Sequence, residues 1–189
     1  MLVVVTGGSG SGKSVYAEKL LARLAEMQKG QSYYIATMKP FGSEGQERVA
    51  RHQKQRQQYG FITVEQYTRI GKTGIPSDGT VNVLLECMSN LVANEMFDDG
   101  NIRSVEELTR DITSGIEQLY TNCRNLVVVT NEVFSDGSGN GNGYDRETLE
   151  YIRCLGAVNR RLAKMADSVV EVVYSIPVII KKEQNGGIV

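Results

Sequence analysis

Residues 1–14 read MLVVVTGGSGSGKS, a short valine-rich run that breaks into Gly7-x-x-x-x-Gly12-Lys13-Ser14. Ala17, Leu20, Leu21 and Leu24 then follow at helical spacing. A strand, a glycine-rich loop and a helix in this order form the phosphate-binding P-loop arrangement. Within Gly7, Gly8, Ser9, Gly10, Ser11 and Gly12 the small side chains let backbone N–H groups converge on phosphate oxygens. The Lys13 ammonium is placed to reach the β- and γ-phosphates, and the Ser14 hydroxyl to join a Mg²⁺ shell. The helix N-terminus adds a favourable partial positive charge. A glycine-rich turn that merely joins strand to helix is the alternative, but the flanking patterns supply the context the binding motif requires. The chain is expected to bind ATP or GTP with Mg²⁺.

The rest of the sequence bounds the fold. Its 189 residues suit one domain spanning 1–189, with a core that buries roughly 70% of the unfolded chain's surface. The 21 basic residues are scattered and the formal net charge is −1, so nucleic acid is not an expected partner. Cys87, Cys123 and Cys154 lie far apart without metal-ligand spacing, which fits buried thiols in a reducing cytoplasm. The apolar start is short and has no basic flank, and no later run reaches the ~20 residues of a membrane span.

Apolar β-runs alternate with helical patterns, the signature of a mainly parallel sheet covered by helices on both faces in an α/β, P-loop NTPase-like fold. Strands are expected near 2–6, 32–37, 62–66, 81–86, 125–130 and 168–174, with a last one at 177–182 completing the sheet. A helix over 105–120 is marked by the capping box Ser104-x-x-Glu107 and by the stripe Val105, Leu108, Ile112, Ile116 and Leu119. Another is expected over 146–166, with Leu149, Ile152, Leu155, Leu162 and Met165 facing the core. Ser135–Gly143, reading SDGSGNGNG, has a loop composition and is either a lid or a tolerated insertion.

Three further groups bear on chemistry. In EGQERVARHQKQRQQ, residues 44–58, Arg48, His52 and Arg56 share one helical face, and His52 is the chain's one histidine. The segment is polar nearly all round, so the imidazole is either an incidental surface group or a nucleophile. Flanking arginines would keep that imidazole neutral by like-charge repulsion and offer guanidinium forks to phosphates. The buried run VNVLLE ends in Glu86, at a sheet edge where P-loop proteins place a carboxylate that orients Mg²⁺ or water; an ordinary strand-end carboxylate is the alternative. LVVVTNEV delivers Thr130, Asn131 and Glu132 to that edge, although turn chemistry alone also accounts for them. Lys181 and Lys182 near the chain end read as a solvated edge.

The order GGSGSGKS (7–14), YIAT (34–37), R-V-x-x-H-x-x-x-R (48–56), LLEC (84–87), Asn94, VTNEV (129–133), Gly156-x-x-Asn159 and ADSVVEVV (166–173) closely resembles the bifunctional adenosylcobinamide kinase/adenosylcobinamide-phosphate guanylyltransferase family, over nearly the whole chain. The resemblance implies that His52 accepts GMP covalently from GTP. It also implies that Lys13, Ser14 and Glu86 serve phosphoryl transfer to adenosylcobinamide, with Ser14 and Glu86 toward the metal and Arg48 and Arg56 toward the nucleotide phosphates. A homo-oligomer such as a trimer is implied as well. The chain departs from the pattern at Gly10, where arginine is frequent, at Tyr151-Ile152-Arg153, and after VTNEV, where Phe134-Ser135-Asp136 replaces a Gly-x-Gly-Ile-Val-Pro loop. Two other classes stay open: a monofunctional small-molecule kinase, which would never be labelled at His52, and a GTP-binding switch. Against the latter, the chain contains no Asn-Lys-x-Asp guanine-reading motif.

Overall fold

The computed structural model describes residues 1–40, 57–97, 103–133 and 144–183, together with the single positions 42, 50 and 54. Seven strands form one sheet: β1 (Leu2–Thr6), β2 (Ser32–Ala36), β3 (Ile62–Glu65), β4 (Asn82–Glu86), β5 (Asn125–Val129), β6 (Ser168–Val173) and β7 (Ile176–Lys182). Four α-helices are described: α1 (Lys13–Gln28), α2 (Met88–Phe97), α3 (Val105–Thr121) and α4 (Arg146–Met165). The expected strands and the two expected helices lie within one residue of these bounds at each end. The 44–58 segment falls outside the described residues except at 50, 54, 57 and 58, and the 135–143 loop lies wholly outside them.

The strand order is β3-β2-β4-β5-β1-β6-β7. Every neighbouring pair is parallel except β6 and β7, an antiparallel hairpin. β1 sits between β5 and β6, in register through Val3↔Val127 and Val4↔Val169. The central strands are nearly continuous valine and leucine because both their faces are covered, as a parallel sheet requires. Alternation sorts their side chains into two cores. Leu2, Val4, Val83, Leu85, Leu126 and Val128 pack with α2, α3 and α4 on one face; Val3, Val5, Leu84, Val127, Val129 and Val170 pack on the other against Ala17, Leu20, Leu21 and Leu24 of α1. At the start of α3 the capping box forms as expected: the Glu107 N–H donates to Ser104 Oγ at 3.2 Å, and the Ser104 N–H to Glu107 Oε2 at 3.1 Å. Among the described residues no helix is long and apolar enough to cross a membrane.

Three expectations need correction. The core face of α4 is Cys154, Leu155, Val158 and Leu162, with the half-buried Met165 packed against it as expected; Leu149 and Ile152, nearer the start of the helix, are half-buried and stand outside that core cluster. Cys123 and Cys154 are buried, but Cys87 at the end of β4 keeps part of its surface exposed. β7 completes the sheet as expected, with its apolar side chains open to solvent, Ile180 at 60%. Lys181 is no solvated edge: its ammonium donates to the carbonyls of Ala163, Lys164 and Ala166 at 3.3, 3.2 and 2.5 Å, closing the end of α4. A cation there neutralises the carbonyl end of the helix dipole.

Candidate active site

The site lies at the carboxyl ends of the parallel strands, where open α/β sheets bind ligands. β1 ends at Thr6 and the chain turns through Gly7–Gly12 into α1, whose first turn has no side-chain cap. Its leading N–H groups are therefore left to an incoming anion. Gly7 has φ +151°, and a Cβ there would stand 2.5 Å from the Val172 carbonyl oxygen. Gly12 has φ +91°, and a Cβ would stand 2.7 Å from Ser175 Oγ. Only glycine fits either position. Lys13 is 8% exposed, and its ammonium donates to the Gly8 carbonyl at 3.0 Å, folding the side chain back over the loop. Burial pushes the Lys13 pKa down from the ordinary 10.5, against the opposing influence of Cys87 and Glu86.

Ser14 and Glu86 meet, as the sequence pattern anticipates. The Ser14 hydroxyl donates to Glu86 Oε1, while Glu86 Oε2 is buried with no hydrogen-bond partner. An orphaned carboxylate oxygen in a buried position is costly unless something else satisfies it. A hydroxyl and a carboxylate are the hard oxygen donors that Mg²⁺ prefers, so these two residues fit that ion.

Glu86 is held by neighbours that the sequence reading did not assign to the site. The Thr37 N–H donates to the Glu86 carbonyl at 3.0 Å. The Thr37 hydroxyl accepts from the Cys87 N–H at 2.7 Å and donates to the Cys87 carbonyl at 2.8 Å. Asn94, on α2, donates through Nδ2 to the carbonyls of Thr37 and Tyr67 at 2.7 and 2.9 Å. β5 delivers the third expected group. The Thr130 N–H bonds the Val5 carbonyl at 2.9 Å and the Glu132 N–H bonds the Gly7 carbonyl at 3.2 Å, which lays this segment against the phosphate loop. Thr130 donates its hydroxyl to Asn159 Oδ1 at 2.7 Å, and Asn131 Nδ2 donates to Ser89 Oγ at 2.8 Å. Ser89 Oγ lies 2.9 Å from Cys87 Sγ, whose pKa burial pushes up, so the thiol stays protonated near neutrality.

The structure thus brings Gly7, Gly8, Ser9, Gly10, Ser11, Gly12, Lys13, Ser14 and Glu86 to one sheet edge. His52, Arg48 and Arg56 lie outside the described residues. Thr37, Ser89, Asn94 and Asn159 are additions. Thr37, Asn94 and Asn159 stand in the motifs that carry the family resemblance, but their roles were not legible, because their hydrogen-bond partners stand tens of positions away.

The family described as cobinamide kinase / cobinamide phosphate guanyltransferase matches residues 3–180. The bifunctional adenosylcobalamin biosynthesis protein CobU of Escherichia coli K12 is 33% identical over 193 residues, covering 96% of this chain and all (100%) of that protein. Its Salmonella typhimurium LT2 counterpart is 33% identical over 195 residues, with 96% and 100% coverage. Among solved structures, the ATPase domain of G40P superposes with a TM-score of 0.52 at 11% identity, over 98% of this chain and 78% of that one; at that identity the likeness speaks for the fold alone. With a P-loop NTPase-like fold, an intact phosphate loop and a family match across nearly its full length, the chain belongs to the cobinamide kinase / cobinamide phosphate guanyltransferase family.

Proposed function

We propose that this chain is a bifunctional enzyme of adenosylcobalamin biosynthesis, acting on adenosylcobinamide with ATP or GTP. The observation that carries the reading is the pairing of Ser14 with the half-satisfied Glu86 carboxylate beside a buried Lys13. That arrangement belongs to phosphoryl transfer, and the family match supplies the acceptor. Ser14 and Glu86 would hold Mg²⁺, which when bound neutralises charge on the phosphate oxygens.

In the kinase step the P-loop amides and Lys13 hold the triphosphate in line with the aminopropanol hydroxyl of the corrinoid. The hydroxyl oxygen forms a bond to the γ-phosphorus, the bond from that phosphorus to the β-bridging oxygen breaks to release the nucleoside diphosphate, and the hydroxyl proton passes to solvent. In the transferase step the neutral His52 imidazole attacks the α-phosphorus of GTP and expels pyrophosphate. A phosphate oxygen of adenosylcobinamide phosphate then displaces the imidazole, breaking the P–N bond and giving adenosylcobinamide-GDP. Arg48 and Arg56 balance charge on the phosphates. The chain works as one domain over 1–189, as a cytoplasmic homo-oligomer.

Incubation with α-labelled GTP, followed by peptide mapping, tests the reading. A label on His52 that a phosphorylated corrinoid discharges is the expected result. Phosphorylation of the corrinoid without any label would instead assign a monofunctional kinase.

A further inference from the structure

The hairpin joining β6 to β7 touches the phosphate loop. Val173 pairs with Ile176, so the turn is the two residues Tyr174 and Ser175, with φ +49° and +64°. Positive φ at both central positions is the type I′ requirement, for which Asn-Gly is the favoured pair; a bulky side chain there is disfavoured. Ser175 has a visible purpose. Its N–H donates to the Ser11 carbonyl at 2.8 Å, and its Oγ fills the space beside Gly12. Tyr174 has none among the described residues, where its side chain is 91% exposed. An aromatic ring held in an unfavourable backbone conformation, neither buried nor required by the turn, points to a ligand.

The direction of a bound nucleotide says which ligand. Ser14 contacts Glu86 at the end of β4, beyond β5 on one flank of β1. Ser11 and Gly12 contact the hairpin next to β6 on the other flank. Ser14 and Glu86 would hold a metal ion that neutralises charge on the terminal phosphates, so the terminal phosphates of a triphosphate belong on the Ser14–Glu86 side. The nucleoside end then leaves the loop toward the hairpin.

We propose that Tyr174 is the stacking platform for the base of the nucleoside triphosphate held in the P-loop. The inference rests on the nucleotide-binding reading above and adds the residue that holds the base. Stacking engages the π-face that every base has, so Tyr174 serves adenine and guanine alike.

The β,γ-imido analogue of ATP and inorganic tripolyphosphate, each with Mg²⁺, separate the base from the phosphates. Wild-type protein is expected to bind the analogue about tenfold more tightly than tripolyphosphate, and Tyr174→Ala to lose that difference while keeping its tripolyphosphate affinity. Tyr174→Phe should restore it. Tyr174→Asn, better suited to the turn, should leave the hairpin intact yet bind the analogue as weakly as Tyr174→Ala. Because the chain has no tryptophan, Tyr174→Trp provides a lone indole, excited selectively over the remaining tyrosines, whose emission the analogue should quench and tripolyphosphate should not. Unchanged analogue affinity in Tyr174→Ala and Tyr174→Asn would overturn the inference, and an altered oligomeric state with that result would assign the ring to a subunit contact. Equal losses for both ligands would overturn it too, reducing the turn to a support for the loop. Wild-type protein that binds neither ligand would sink the P-loop reading itself, and this inference with it.

Discussion

Lys13 illustrates how one side chain answers to two opposing demands. It must stay close enough to the loop to meet phosphate oxygens, and the burial that places it there lowers its pKa below 10.5. A bound triphosphate favours the charged ammonium and raises that pKa again. Nucleotide binding is then coupled to proton uptake: affinity is full below the empty-state pKa of Lys13 and falls as pH rises through it. Titration of nucleotide affinity from pH 7 upward should show this decline at a pH below 10.5, and Lys13→Ala should flatten it. A wild-type affinity independent of pH across that range would contradict the coupling. Lys13→Ala should also cut both phosphoryl and guanylyl transfer by about 10²–10³-fold, since γ-phosphoryl transfer and pyrophosphate expulsion each develop charge beside the ammonium. A variant that lost only guanylylation would show that two nucleotide sites exist. His52→Ala should abolish the GMP adduct while leaving corrinoid phosphorylation intact, and a residual adduct at the wild-type rate would place the nucleophile elsewhere.

At the scale of elements, the ends of β2 and β4 are tied into one unit by Thr37, whose hydroxyl serves both backbone groups of Cys87. Thr37→Val keeps the shape but leaves the Cys87 N–H unpaired, while the Cys87 carbonyl keeps the Leu91 N–H at 3.2 Å; the one unsatisfied donor costs about 1–3 kcal/mol. Because Glu86 precedes Cys87, kcat and the Mg²⁺ requirement should shift along with stability. Thr37→Ser, retaining the hydroxyl, should recover both. A Thr37→Val enzyme that lost stability while keeping its kcat and Mg²⁺ dependence would confine Thr37 to the fold. The strands and helices were legible in the sequence because their periodicities are local: valine runs buried on two faces, and an unbroken apolar stripe on α3. Contacts across sequence were not. Thr37 and Cys87 are 50 positions apart, and Lys181 reaches α4 carbonyls 15 to 18 positions away, so only the parallel sheet and the hairpin that bring these segments together reveal them.

Across the whole molecule, the phosphate loop is the joint between two halves of the sheet. β5 and the Glu86 edge meet it on one side and the β6–β7 hairpin on the other, through Glu132 N–H to Gly7 and Ser175 N–H to Ser11. The loop itself was readable from Gly7 to Ser14, and Glu86 from its place at a buried strand end. The hairpin's share was hidden, because Tyr-Ser is not a turn signal and nothing local ties it to a loop at the other end of the chain. A ligand seated in this joint contacts segments from both halves and therefore stabilises the folded sheet as a whole. At a concentration about 100 times its Kd, a ligand that binds only the native state adds roughly 2.7 kcal/mol. For a chain of this length that corresponds to a rise in Tm of about 5–10 °C. The β,γ-imido analogue of ATP with Mg²⁺ should produce this shift in wild-type protein and in His52→Ala, whose substitution lies away from the loop in sequence. Glu86→Gln should show a smaller rise and lose the part that depends on Mg²⁺, because the amide is a poorer ligand for a divalent cation. Lys13→Ala at the same ligand concentration should show almost none. A full shift in Lys13→Ala, read by differential scanning calorimetry, would mean that the nucleotide is held somewhere other than the loop between β1 and α1.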